Sequence, residues 1–369
     1  SVIQQNVFRV NKKLWTEKDS GNPITVYQAK DQDDEALYIV DEINRLRRNG
    51  ISLIDIAVLY RTNYQSRAVE EAMLKNGVPY KLVGGFRFYD RKEIKDILSY
   101  MRFIFNLKDD LSTSRILNVP NRKVGPKSME AIHSAARKCG CSVGELLVGI
   151  YSINNSLKKP DEISDKVYEK IKLIIDELNG FSSVINLFGS LYFESQKENV
   201  LSIIDLILDK TKYVEWIDDG SQEAEYKKEN IEELKNVASS YSQRFKDNSL
   251  EMFLQEINLI ELEQSKNQDG SGNYVNLMTL HSSKGLEFDY VFIIGVEEGI
   301  LPHSRSFTDE EELEEERRLC YVGITRAKEK LYLTFAERRL KRDGYSSQIP
   351  SRFLGEIPQD ICDYYSWQS

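Results

Sequence analysis

The chain has 369 residues, enough at roughly 100 to 200 residues per domain for two domains, and its 41% hydrophobic and 30% charged content marks a folded chain rather than a disordered one. A formal charge of -9 excludes a protein whose whole surface grips phosphate, so any nucleic-acid contact is expected in a local groove. No run reaches the roughly 18 apolar residues of a membrane span and SVIQQNVFRVNKK lacks a signal-peptide core, while the cysteines at 139, 141, 320 and 362 fit no zinc spacing; the expectation is a cytoplasmic protein with reduced thiols, no membrane partner and no metal site of its own.

Residues 1–20 show no clear pattern and are expected to be a connector. From Pro23 the chain alternates: ITVYQA reads as a strand, DDEALYIVDEINRLRR as an amphipathic helix, DIAVLYRT as a strand, QSRAVEEAMLKNG as a helix closed by Gly77, VPYKLVGG as a short strand and KEIKDILSYMRFIF as a helix. The acidic run DQDDEA reads as the start of the first helix rather than a metal site. Strands alternating with helices imply a parallel, layered α/β sheet, assigned to residues 21–108. Over residues 109–270 strand signals nearly vanish, and apolar residues three and four apart, as in VYEKIKLIIDELNGF, predict an all-α region. EQSKNQDGSGNY, Glu263 to Tyr274, reads as a linker. The α/β pattern then resumes over 271–369 with the strands YVNLMTL, DYVFIIGV and KLYLTFA and the helix TDEEELEEERRLCYVGI, for which Thr308 and Glu311 form a candidate capping box. The architecture expected is one α/β domain interrupted by a helical insertion.

No phosphate loop of the form GxxxxGK[ST] is present, and neither is GxGxxG. What remains is a set of polar residues at strand ends: Tyr60 and Arg61 after DIAVL; Thr279 and His281 after VNLM, with Lys284, Gly285 and Glu287 in the next loop; and Arg326 before KLYLTFA. Polar groups at the carboxyl ends of a parallel sheet line its ligand crevice, so these clusters are expected to converge. Taken singly, Arg326 reads as a salt bridge to the Glu-rich helix before it, Tyr60 as core and Glu287 as a loop acid. His133 reads as a satisfied helix residue.

Several blocks occur in a fixed order: AVLYRTNYQSR, VGGFRFYDRKEIKDILSYMRFI, VNLMTLHSSKGLEFDYVFIIGVEEGILPHSR, EEERRLCYVGITRAKEKL and PSRFLGEIP. Together they resemble the C-terminal half of the UvrD/PcrA/Rep-type superfamily 1 DNA helicases. The resemblance implies a RecA-like, P-loop NTPase-like motor domain without a P-loop of its own, interrupted by an all-α insertion. The partner motor domain, with the phosphate loop and the Mg²⁺ ligands, is expected upstream in the same protein. Implied partners are ATP, single-stranded DNA and the single/double-strand junction, with movement 3′ to 5′. Arg61 and Arg326 match arginines that reach the γ-phosphate, a role suited to the planar guanidinium. Tyr60 matches an adenine-stacking aromatic, and Glu287 a ribose contact. Thr279, His281 and His303 match single-strand contacts. Arg122, Gly125 and Lys127, in LNVPNRKVGPKSMEAI, match a turn that holds duplex backbone, with Lys123 where the family pattern has a glycine. Arg342 stands where relatives place a base-stacking aromatic. EEELEEERR is expected to be a solvated face turned away from DNA. On this reading the chain by itself hydrolyses no ATP. The competing reading is a non-catalytic DNA-binding or partner-docking module.

Overall fold

The computed structural model describes residues 21–244, 249–266, 272–341 and 344–368. In chain order its elements are β1 (Ile24–Ala29), α1 (Gln32–Arg48), β2 (Ile56–Tyr60), α2 (Ser66–Lys75), β3 (Tyr80–Leu82), α3 (Lys92–Phe105), α4 (Asp110–Ile116), α5 (Pro126–Cys139), α6 (Val143–Asn154), α7 (Asp165–Ile174), α8 (Ser182–Ser195), α9 (Val200–Thr211), α10 (Tyr213–Ile217), α11 (Gln222–Arg244), α12 (Leu250–Lys266), β4 (Val275–Thr279), β5 (Phe288–Ile293), α13 (Glu310–Ile324), β6 (Ala327–Ala336), β7 (Arg338–Lys341), β8 (Gly344–Ser347), α14 (Arg352–Gly355) and β9 (Cys362–Ser366), joined by short 3-10 turns. The described residues divide into two compact units, one made of those from 21 to Phe88 and from Leu259 onward, the other of those between Tyr89 and Asn258.

The first unit is built on a seven-stranded sheet of order β3-β4-β2-β5-β6-β1-β9, and every pairing in it is parallel. Its interior strand β2, IAVLY, is buried along its whole length, which its lack of polar alternation predicts for a strand covered on both faces. Ala57 and Leu59 point into one layer with Met278, Ile293 and Leu319. Ile56, Val58 and Tyr60 point into the other, with Ile39 and Ile43 of α1 and Met73 of α2. Helix α1 starts at Asp31, whose carboxylate accepts from the Asp34 N–H; acidic side chains follow in its first turn and basic ones fill its last, matching the helix dipole. The run DQDDEA is thus a helix cap, as expected. The hairpin of β7 and β8 and the edge strand β9 had no counterpart in the sequence reading, being short and lacking long apolar runs.

The second unit is all helical. Helix α3, expected with the α/β domain, belongs here because its buried face is spent on other helices. Phe103 meets Phe188 of α8 edge-on with ring centroids 5.0 Å apart. Asp96, fully buried, is bound by Arg115 of α4 at 2.7 Å and by the Tyr213 hydroxyl at 2.8 Å. The division between units therefore falls earlier than the boundaries expected at 109 and 271, and on the C-terminal side it lies inside α12. Glu263 to Lys266, expected as linker, are the last turn of that helix.

Candidate functional site

The strand register decides which polar residues meet. At the carboxyl edge of the sheet Tyr60 lies opposite Thr279, and the Leu280 N–H donates to the Tyr60 carbonyl at 2.8 Å, so Arg61, Thr279 and His281 gather there. Arg326 does not join them. It precedes β6, where Phe288 pairs with Ala327 and the Phe288 N–H donates to the Arg326 carbonyl at 2.9 Å; Arg326 and Glu287 therefore share the amino edge. The intervening strand β5 is about 20 Å long at roughly 3.3 Å per residue. The expected convergence on the carboxyl edge is corrected by α13, which runs back along the sheet and delivers Arg326 to the start of a strand. Gly323 allows that approach, since a Cβ there would stand 2.4 Å from the Leu280 side chain.

Arg61 is 6% exposed and is not open to solvent. Its Nε donates to both oxygens of Glu316 at 3.0 and 2.9 Å, and Nη2 donates to Oε1 at 2.6 Å. Its backbone is held by Gln65, whose Oε1 accepts from the Arg61 and Thr62 N–H groups at 3.0 and 2.9 Å while Nε2 donates to the Ile294 carbonyl. The salt bridge to the Glu-rich helix that composition offered for Arg326 is thus made by Arg61. Glu314 and Glu316 are both buried, so the run EEELEEERR is not wholly a solvated face. Its helix is capped by Asp309, which accepts from the Glu311 and Glu312 N–H groups, instead of by Thr308, the last residue of a 3-10 turn.

Arg326 is half-buried and differently held. Nε donates to the Val322 carbonyl at 2.9 Å, Nη1 to the Leu286 carbonyl at 2.8 Å and Nη2 to the Thr325 hydroxyl at 2.9 Å. Three neutral oxygens orient the guanidinium and none of them cancels its charge. Glu287, next to Leu286, is exposed.

At the carboxyl edge Thr279 and Ser282 share a hydrogen bond of 2.9 Å. His281 is exposed overall, yet desolvation of the inner side of its ring and the neighbouring Arg61 charge hold its pKa below the ordinary histidine value. His303 accepts from the Arg305 N–H through Nδ1, and its own N–H donates to Glu316 Oε2 at 3.0 Å. Tyr60 is 3% exposed within the core, so the face expected to stack on adenine is covered by apolar side chains. Arg342 lies outside the described residues.

In the helical unit the turn expected to contact duplex joins α4 to α5. Arg122 is turned inward: Nη1 donates to the carbonyls of Ile116, Leu117 and Val119, and Nη2 to the Tyr100 hydroxyl. It caps the end of α4, so both of its terminal nitrogens are engaged within the protein. Gly125 is the N-cap of α5, and Lys127 is exposed in its first turn. Lys123 has φ +62°, which explains why a glycine suits that position. Left-handed backbone costs a side-chain-bearing residue about 1–2 kcal/mol, partly offset by glycine's looser unfolded chain, so Lys123→Gly is expected to stabilise this unit by about 0.5 kcal/mol. A urea midpoint that falls in the variant contradicts this.

Comparison with known proteins places this geometry. The model of the UvrD-like helicase C-terminal domain matches residues 1–338. The chain belongs to that family. It is 40% identical over 368 residues to the ATP-dependent DNA helicase PcrA of Bacillus subtilis, covering 98% of this chain and 47% of the relative. To the PcrA of Staphylococcus epidermidis it is 40% identical over 373 residues, covering 100% and 48%, and to that of Staphylococcus aureus 39% over 372 residues, covering 99% and 48%. The chain spans about half the length of the curated relatives it matches.

In this UvrD-like C-terminal domain three neighbours of the candidate site escaped sequence reasoning. Gln65 and Glu316 carried no signal because their partners are distant in the chain or in the backbone. Phe86 did: it follows two glycines, is 76% exposed, and sits on a loop whose Gly84 approaches the Ser282 hydroxyl, beside Thr279.

Proposed function

We propose that this chain is the C-terminal portion of an ATP-dependent DNA helicase or translocase that moves 3′ to 5′ along one strand. The observation that carries the reading is Arg326, a guanidinium whose hydrogen bonds to Val322, Leu286 and Thr325 all go to neutral oxygens, on the same edge of the sheet as the exposed Glu287. Such a cation is preorganised for a phosphate supplied by a mating domain. In this reading Arg326 and Arg61 meet the γ-phosphate, Glu287 the ribose hydroxyls, and Thr279, His281 and His303 the single strand. Gly125 and Lys127 meet duplex backbone at the single/double-strand junction. ATP, when bound, supplies the free energy that closes and reopens the cleft. Among the described residues no group of three histidine, cysteine or acidic side chains gathers that could hold a metal ion; we assign Mg²⁺ to the N-terminal motor domain of the same protein. No helix among the described residues is long and apolar enough to cross a membrane.

The test compares the isolated chain with the full-length protein. The isolated chain is expected to show no DNA-stimulated ATPase above background, and the full-length protein to hydrolyse ATP and displace a strand from a 3′-tailed duplex. Turnover by the isolated chain that Arg326→Ala abolishes overturns the two-domain reading. A full-length protein that binds DNA without hydrolysing ATP supports the docking-module reading, which the burial of Arg61 under Glu316 favours.

A further inference from the structure

Glu316 lies in the second turn of α13, 7% exposed, in a run whose Glu310, Glu311, Glu312 and Glu315 face solvent. Its carboxylate joins three segments. Oε1 and Oε2 accept from Arg61 at the end of β2, and Oε2 also accepts from the His303 N–H in the loop before α13. Arg61 meets Glu316 through Nε and Nη2, the same forked pair of donors with which a guanidinium meets two phosphate oxygens. A phosphate and this carboxylate cannot both hold that fork.

Arg61 therefore meets a phosphate only after its guanidinium leaves Glu316. Once it has left, a nearly buried carboxylate loses its cation, a costly state that favours rearrangement around it. The contact at hand to rearrange is the His303 N–H.

We propose that Glu316 is a built-in stand-in for the nucleotide phosphate: a positioning residue that holds Arg61 by the fork a phosphate would take and, when Arg61 turns to phosphate, releases the His303 amide. The proposal rests on the reading of Arg61 as a γ-phosphate contact. It gives the coupling between nucleotide and strand a physical link, one carboxylate that bonds the phosphate-facing arginine and the backbone of a strand-facing loop.

Two measurements on the full-length protein test it. Hydrogen exchange at the His303 amide, followed in the wild type with and without a non-hydrolysable ATP analogue, is expected to speed up at least tenfold when the analogue binds. Unchanged exchange overturns the proposal, and this measurement needs no variant to fold. Glu316→Gln, which keeps the shape and removes the competing charge, is expected to lower the KM for ATP at least threefold. It should also reduce the analogue's effect on single-strand affinity to less than twofold. An unaltered KM counts against the stand-in role. Failure of the parent reading looks different: Arg61→Ala with unchanged kcat/KM for ATP sinks both ideas. A loss of a hundredfold or more in Arg61→Ala, with His303 exchange indifferent to nucleotide, sinks only the role of Glu316.

Discussion

Arg326→Ala in the full-length protein is expected, on the proposed function, to lower kcat for ATP hydrolysis by a factor of about 10³, the lower end of what arginine fingers contribute. The reason lies in how the side chain is held. Its donors are met by the carbonyls of Val322 and Leu286 and by the Thr325 hydroxyl, so rotamer freedom is already restricted and no carboxylate among those partners has to be displaced before phosphate is met. Preorganised charge of this kind acts where negative charge develops on the transferred group. Arg326→Lys is expected to recover little, because an ammonium cannot span the Leu286 and Val322 carbonyls and still present a planar fork. The same side chain pins the start of β6 to the loop before β5, so a thermal melt of each variant accompanies the kinetics. A well-folded Arg326→Ala protein with kcat within tenfold of wild type returns this arginine to a structural role.

The second large effect is on stability and comes from Arg339. This guanidinium donates from Nε to Glu297 Oε2 at 2.7 Å, and from Nη2 to Glu297 Oε1 at 2.6 Å and to Glu35 Oε2 at 2.7 Å. Glu297 is 0% exposed and Glu35 3%, so one cation serves two buried carboxylates drawn from α1 and from the segment after β5. Their remaining oxygen bonds go to the Ala336 and Gly295 N–H groups and the Thr334 hydroxyl. Arg339→Met leaves both charges buried without a cation, and a loss of roughly 3–5 kcal/mol is expected on that ground. The deficit should depend on pH. Burial pushes the Glu297 carboxyl above its usual range, against the opposing pull of Arg339. A carboxyl raised in the folded state binds its proton more tightly there than in the unfolded chain. Its contribution to stability is therefore full below the ordinary glutamate pKa and is lost as pH rises through the folded value. Removing Arg339 removes the opposing pull, so the variant should lie closer to wild type in acid than at pH 8. Denaturant titrations at the two pH values check this, and a deficit below 1 kcal/mol at pH 8 contradicts it.

Much of the architecture was legible because it follows from local periodicity. The unbroken apolar run of IAVLY announces a strand covered on both faces, and DDEALYIVDEINRLRR announces a helix with one buried stripe. Both stand where they were expected. The helix start was misjudged by one residue, at Asp309 instead of Thr308, since both side chains can cap and only the backbone before the helix chooses between them. Strand β9 and the β7–β8 hairpin were missed because short edge strands carry little burial pattern of their own.

What the sequence by itself determined is the inventory and the kinship: a parallel α/β layer, a helical insertion, ordered motif blocks, and the residue types able to meet phosphate and DNA. Tertiary structure alone decided how those groups are used. Arg61 and Glu316 are 255 positions apart, yet they form one buried ion pair. Arg326 stands at the amino edge of the sheet and Arg122 turns inward to cap a helix. Periodicity reports which face of an element is apolar, whereas a charged side chain's partner depends on where distant elements cross. The pairing energy of a buried charge then selects among those crossings, and no local window of residues contains it.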